Sequence, residues 1–423
     1  MRKSQLRFLL LNTFYPPYSF GGDAIYVWRL ANALAEDGHL VDVLHCADSY
    51  ELLAGRRPIS PALPSHRNVT IHELRSRPPA LASIAAHQTG FPFGRRRQID
   101  RAMRGKDYDV IHFNNISMFG PGVLRLNSIP LTVKLYTPLE YWLVCERHTL
   151  WKFDLRNCES AQCMRCTIRA GLPPQLWRYT RLIEQMASMV DRFLAPSRAV
   201  ARIHAERGFR HPMEHLPLFT DVLNAEALDA LKRPLDQPYF LFVGRLEAIK
   251  GPEVVLSAWE RIRGADLIVA GDGSLMDRIR QRIGANPRVH LVGNVAQPEL
   301  SSFYRHAVAS IVPSLFEEPF GLTAIEALAH KTPVIAHSVG GLREIIEESG
   351  GGVLYESVDE LASAMRKLLD DPALRIALGE RGYRACNERW SRSAHLRRYY
   401  RVIEEVAARK ESAPAAERYG STK

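Results

Sequence analysis

The chain lacks several features that would place it elsewhere. Among its 423 residues no apolar run approaches the roughly eighteen needed to cross a bilayer, so no membrane-spanning helix is expected. Six cysteines are too few for a disulfide scaffold in so long a chain, and four of them lie close together. That pattern suits structural or metal-binding thiols in a reducing compartment, taken here as the cytosol. With 27 glycines, 26 prolines and 9% aromatic residues, the composition is neither fibrous nor of low complexity. No G-x-G-x-x-G follows either candidate first strand, which argues against a dinucleotide-dependent oxidoreductase. What is present, 46% hydrophobic and 24% charged residues, is ordinary folded material sufficient for two or three domains. The net charge of +10 favours a polyanionic partner: nucleic acid, an anionic membrane face or a phosphorylated small molecule. The basic residues are scattered without a nucleic-acid-binding motif, so nucleic acid is not an expected partner. A zinc-containing nucleic-acid-binding protein is kept as a contrasting reading.

The opening MRKSQLRFLLLNTF imitates a secretory leader, but no small-residue cleavage site precedes Pro16 and Pro17, and it reads as a first strand. Short apolar runs at Phe8 to Leu11, Val41 to Leu44, Val110 to Phe113 and Leu131 to Leu135 alternate with helical periodicity. A second such series starts at Tyr239 to Val243 and recurs at Leu267 to Ala270, Val289 to Val292, Ser310 to Val312 and Pro333 to Ala336. This is α/β alternation, predicting two doubly wound, Rossmann-like domains. The expected boundaries are 1–210 for the first domain, with a cysteine-rich insertion at 140–175, then a linker at 211–238 and the second domain at 239–392. A helix at 393–410 follows, whose spacing does not say whether it stays with the second domain or crosses back to the first, and a disordered tail at 411–423. In such sheets ligands sit beyond the carboxyl ends of the strands, so the loops there should carry the chemistry.

Two of these loops stand out. In FVGRLEAIKG, Arg245 and Lys250 would both face the crevice, an Arg fork and a Lys point charge able to neutralise a diphosphate as it leaves. In SLFEEPFGLTAIEALAH, Glu318 precedes a turn into a helix. The first amides of that helix, at Phe320, Gly321 and Leu322, suit an anion. Glu318 would accept from sugar hydroxyls and Glu326, one turn further in, would reach a ribose. The alternative in each case is a solvated helix terminus with ordinary surface charges.

GRLEAIKG, VAGDGSL, VHLVGNV and EPFGLTAIEALAHKTPVIAHSVGG, in this order, resemble the carboxyl-terminal domain of retaining GT-B glycosyltransferases of family 4. PPYSFGGDAIYVWRLANALAEDGHLVDVL, YDVIHFNN and DRFLAPSRAV are similar to the amino-terminal half of the same family, so the resemblance runs to about residue 405. It implies a GT-B fold, two domains facing across a crevice, and transfer of a sugar from a nucleotide diphosphate donor to an acceptor hydroxyl with retention and without a catalytic metal. In such enzymes same-face attack lets the leaving phosphate take the acceptor proton, which makes leaving-group stabilisation the main task of the protein. The resemblance gives Arg245 and Lys250 to the diphosphate, Glu318 to the donor sugar and Glu326 to the ribose. It gives Gly21 and Gly22 to a loop closing over the ligands, Gly271 and Gly273 to the second-domain glycine loop, and Gly293, Asn294 and Val295 to the neighbourhood of the base. A third reading keeps this fold without turnover, as a nucleotide-sugar-binding partner. The implied acceptor is a saccharide or lipid-linked saccharide of a bacterial envelope or capsule, met at the inner face of the cytoplasmic membrane.

The sequence departs from the family in one stretch. Many relatives carry a His after the strand corresponding to Leu131 to Leu135; here KLYTPLEYWLVC puts Tyr136 or Leu139 there, with Glu140 beside it. Tyr136 would replace that contact or be a core tyrosine. Cys145, Cys158, Cys163 and Cys166 have the spacing of a four-thiolate structural zinc centre, the alternative being unligated thiols. Arg95, Arg96 and Arg97 follow GFPFG, a combination suited to an anionic membrane or else to a solvated helix start. Asp107-Tyr108-Asp109 precedes its strand and reads as a turn.

Overall fold

A computed structural model of the protein describes residues 5–58 and 62–412; most of the expected tail lies outside them. The apolar runs become strands because a parallel sheet covered on both faces hides both sides of every strand. In the first domain these are β1 (Arg7–Leu11), β2 (Leu40–Cys46), β3 (Val69–Leu74), β4 (Val110–Phe113) and β5 (Val133–Tyr136). A short antiparallel ribbon in the insertion follows, β6 (Trp151–Lys152) and β7 (Arg156–Asn157), and then β8 (Arg192–Ala195) and β9 (Met213–His215). The sheet order is β3-β2-β1-β4-β5-β8-β9, all parallel. The second domain holds β10 (Tyr239–Val243), β11 (Asp266–Ala270), β12 (Val289–Gly293), β13 (Ala309–Val312), β14 (Val334–His337) and β15 (Gly352–Tyr355), in the parallel order β12-β11-β10-β13-β14-β15.

Side chains alternate across each sheet. Leu9 and Leu11 enter one core of the first domain, while Phe8 and Leu10 enter another that also takes Tyr26, Phe219, Leu241, Phe320, Trp390 and Tyr399. That second core therefore runs through both domains. The terminal helix Arg392–Ser412 completes it by crossing back to the first sheet, where Tyr399 Oη meets His112 Nδ1 at 2.9 Å and Lys410 Nζ pairs with Asp191 at 2.6 Å.

The structure corrects the expected linker. Its start is not a connector, because Met213–His215 pairs with Phe193 to Ala195 as the edge strand of the first sheet. Arg95 is likewise not a surface cation. It is fully buried, with Nη2 at 3.1 Å from Asp48 and 2.9 Å from Ser49, and it ties helix Ala47–Ala54 to helix Pro79–Thr89 through Ser83. Only Arg96 and Arg97 of that triplet are exposed. Asp109 accepts from the Arg7 amide at 2.9 Å at the amino end of β1, which is the structural duty expected of a turn acid.

Candidate active site

The loops after β1, β10, β11, β12 and β13 meet between the two sheets. After β10 the chain turns at Gly251, and Lys250 leaves from the turn just before helix Pro252–Trp259. The loop after β13 runs alongside, bound by Leu315 N to Ile249 O at 2.9 Å. Across this seam Lys250 Nζ donates to both oxygens of Glu318, at 2.9 and 2.8 Å, and lies 4.8 Å from the Phe316 ring centroid. The expected cation and the expected sugar acid therefore form one half-buried pair. An ammonium has three donors, so Lys250 keeps one for a ligand, and each Glu318 oxygen keeps an acceptor position.

Arg245 is exposed beside this pair and has no ion-pair partner among the described residues. Its guanidinium lies beside Gly21, close enough that a β-carbon added to that glycine would sit 3.8 Å from Nε. Gly22 lies against Leu322 in the same way, at 3.1 Å from Cδ1. The first-domain glycine loop thus rests on the cationic loop and on the start of helix Leu322–Ala329. Phe320 is buried and Gly321 ends the turn, so the first-turn amides that follow have no intrahelical acceptor. Ser197 Oγ donates to Pro319 O at 2.7 Å and Asn157 Nδ2 donates to Leu315 O at 3.1 Å, both across the domain boundary.

Gly271 sits on the second-domain floor, its amide 2.7 Å from Gly293 O, while Gly273 turns beside Leu246. Asn294 is exposed at the rim and Val295 packs against the shared core.

Two expectations need revision. Tyr136 is a core residue, 1% exposed, with its ring 5.5 Å from that of Phe193, because the end of β5 turns its side chain under the insertion. Glu326 is buried, with Oε1 2.6 Å from Arg29 Nη2 and Oε2 accepting from Tyr304 Oη at 3.1 Å. It is not simply open to a ribose. Asp23 lies in the first turn of its helix, where Gly21 is the cap, and it accepts from Asn115 Nδ2 at 3.3 Å. Burial, with the Glu140 carboxylate adding to it, pushes Asp23 up to about 6. Among the described residues no three His, Cys, Asp or Glu side chains are grouped to hold a metal ion, while Cys163 lies near enough to Cys145, Cys158 and Cys166 to interact with each electrostatically. Cys158 Sγ is turned toward Ser160 O and Arg207, and Cys166 Sγ accepts the Phe153 amide.

Where the family histidine is missing, Glu140 is hydrogen-bonded to His148, brought back by a loop closed from Tyr141 N to His148 O at 2.8 Å. Arg29 and Tyr304 carried no signal in the sequence, since an Arg on an amphipathic helix reads as a solvent-facing residue.

Residues 20–222 match the family described as glycosyltransferase family 4, and residues 224–385 match that described as glycosyl transferases group 1. The chain is 30% identical over 419 residues to the D-inositol 3-phosphate glycosyltransferase of Thermobispora bispora, covering 88% of each. It is 28% identical to one from Catenulispora acidiphila, covering 85% of each. Among solved structures it superposes on a sucrose-phosphate synthase from Thermosynechococcus elongatus with a TM-score of 0.72 at 23% identity, covering 96% of this chain and 100% of the other. It superposes on Anabaena HepE in complex with UDP with a TM-score of 0.63 at 16% identity, covering 95% and 100%.

Proposed function

The chain belongs to the glycosyltransferases of GT-B type that make up glycosyl transferases group 1, and from that premise we propose that it moves a sugar, with retention, from a uridine diphosphate donor to an acceptor hydroxyl in envelope or capsular saccharide synthesis. The observation that carries the reading is the crevice constellation: an exposed Arg245 with no ion pair among the described residues, a Lys250–Glu318 pair with spare hydrogen-bonding capacity, and the Gly21-Gly22 loop resting on Arg245 and on the helix start at Leu322. Arg245 and the third Lys250 proton neutralise the diphosphate as charge builds on it, and the helix start at Leu322 adds its amides. Glu318 holds the donor-sugar hydroxyls, and Lys250 fixes that carboxylate from below. No separate base is required if the leaving phosphate takes the acceptor proton on the same face. The uridine choice is supported by the HepE structures, which were solved with UDP and with UDP-glucose.

No described helix is long and apolar enough to cross a membrane. A lipid-linked acceptor met at a membrane surface is supported by exposed Leu81, Ile84 and Phe93 beside exposed Arg96 and Arg97.

The test is product formation and thermal shift with a panel of nucleotide sugars. Lys250→Ala and Glu318→Ala should each lower turnover by about a hundredfold while leaving the melting temperature near that of the parent. Absence of any shift or turnover with every donor in the panel would overturn the donor assignment.

A further inference from the structure

Residues 146–175 fold with little apolar support of their own. The buried apolar side chains in that stretch are Leu150 and Cys166, while Leu155, Met164, Ile168 and Leu172 are exposed. The backbone is nevertheless held in strained conformations. His148, Leu150, Phe153 and Asp154 have φ between +53° and +70°, and Lys331 is the one other non-glycine residue with positive φ among those described. Such conformations persist where the surroundings over-determine them. Two buried side chains are a weak constraint, so another fastening is called for.

The sulfurs in this stretch are surrounded by N–H donors. Cys145 Sγ accepts from the amides of Arg147 and Leu150, and Cys166 Sγ accepts from the amide of Phe153 at 3.4 Å. Two of the strained residues, Leu150 and Phe153, are thus the ones whose amides are aimed at sulfur. The Arg147 side chain also reaches Cys166, and Arg207 Nη1 lies 3.7 Å from Cys158 Sγ. Arg178 is a third guanidinium, buried near Cys145 and Cys163, and its Nη2 has no hydrogen-bond partner among the described residues. A neutral thiol is a weak acceptor, whereas an ionised acceptor draws N–H donors strongly. Three guanidiniums beside four sulfurs suit a centre of net negative charge, which four thiolates on one divalent ion have.

We propose that Cys145, Cys158, Cys163 and Cys166 bind one zinc ion as thiolates, in a structural centre that fastens the insertion and steadies the loop carrying Glu318. Four protein ligands leave no open position, so the ion holds structure and takes no part in transfer. Binding displaces the four thiol protons. Closing the set asks for χ1 steps of the cysteines, each a swing of roughly 3 Å. The link to the crevice is Asn157, next to Cys158, whose Nδ2 donates to Leu315 O at 3.1 Å, three residues before Glu318.

The measurement is the zinc content of the intact protein by elemental analysis. One zinc per chain is expected, and cobalt(II) loaded in its place should show the sulfur-to-metal charge-transfer band of thiolate ligation. Cys158→Ser and Cys163→Ser should each lose the zinc and melt several degrees lower. Should those variants fail to fold, the parent alone decides: these four free thiols should resist a thiol reagent before chelation and react after it. Removing the ion should also speed amide exchange in residues 146–175 and in the loop of residues 313–321, a readout independent of turnover and of the donor assignment. A parent that carries no zinc and takes up neither zinc nor cobalt(II) overturns the site. Zinc retained in either folded variant, or the four thiols reacting equally before and after chelation, overturns the ligand set. Exchange at 313–321 unchanged by removal of the ion overturns the link to Glu318.

Discussion

Gly271 illustrates how little freedom single positions on the crevice floor have. Its φ is +144°, and a β-carbon there would lie 1.9 Å from Gly244 O, a backbone atom that cannot step aside. Gly271→Ala should therefore cost more than the roughly 1–3 kcal/mol of backbone strain alone, and its urea midpoint should fall well below that of the parent. An unchanged midpoint would mean that the loops after β10 and β11 do not pack as described. Positions of this kind were legible where chemistry and spacing coincide: the glycines, Arg245, Lys250 and Glu318 announce themselves as loop residues after apolar runs. Arg29 does not. Its neighbours Tyr26, Val27 and Leu30 mark a buried helix face, and nothing local says that a cation on its edge has a carboxylate waiting in the other domain.

Elements were legible in proportion to how completely they are buried. β1, β4, β10 and β13 are predominantly apolar and were found within a residue or two, because a parallel sheet buries both faces. β9 was missed for the opposite reason: Met213, Glu214 and His215 form a three-residue edge strand, half-buried and with a single apolar residue. Arg95 misled in a different way, since its neighbours Arg96 and Arg97 made all three look like one solvated run. Its burial carries a prediction about the two helices it ties together. Arg95→Met leaves Asp48 buried without a counter-charge and should destabilise the protein by about 3–5 kcal/mol, whereas Arg95→Met combined with Asp48→Leu should recover much of that loss. Guanidinium unfolding of the three variants decides it, and a single substitution as mild as the double one would show that the tie is dispensable.

At the scale of the whole molecule, the fold class and the two-domain division were readable from alternating periodicities, but the shared core was not, since pattern says that a helix has an apolar face and not whose core receives it. The terminal helix brings a pH dependence with it. His112 is buried between Tyr399 Oη at 2.9 Å and Thr137 Oγ1 at 2.8 Å, and His395 lies between Tyr26 Oη at 3.3 Å and Pro217 O at 2.7 Å. Burial, reinforced by His395, pulls His112 from the ordinary 6.5 to about 3. Burial, with Arg398 adding to it and the Pro217 carbonyl opposing, pulls His395 to about 4. Below pH 6.5 the unfolded chain protonates these rings and the folded one does not, so the unfolded state binds more protons. Their stabilising contribution is complete above 6.5 and is lost as pH falls toward 4, by about 1.4 kcal/mol per pH unit for each ring. Urea midpoints between pH 7 and 4.5 should drop accordingly, and because His45, His204 and His215 are lowered by burial in the same window, His112→Asn should remove one ring's share of that slope, about 1.4 kcal/mol per pH unit; a slope unaffected by the substitution would remove His112 from the account.

The same helix also sets an order of events during synthesis. His112 and Tyr399 are 287 residues apart, so a ribosome adding 5–20 residues per second needs roughly 15–60 s to deliver the second after the first. Throughout that interval the face of the first sheet that carries Phe8 and Leu10, and Tyr26 on the helix beside it, waits for its cover. The nascent first domain thus carries an uncovered apolar face until the last helix leaves the ribosome.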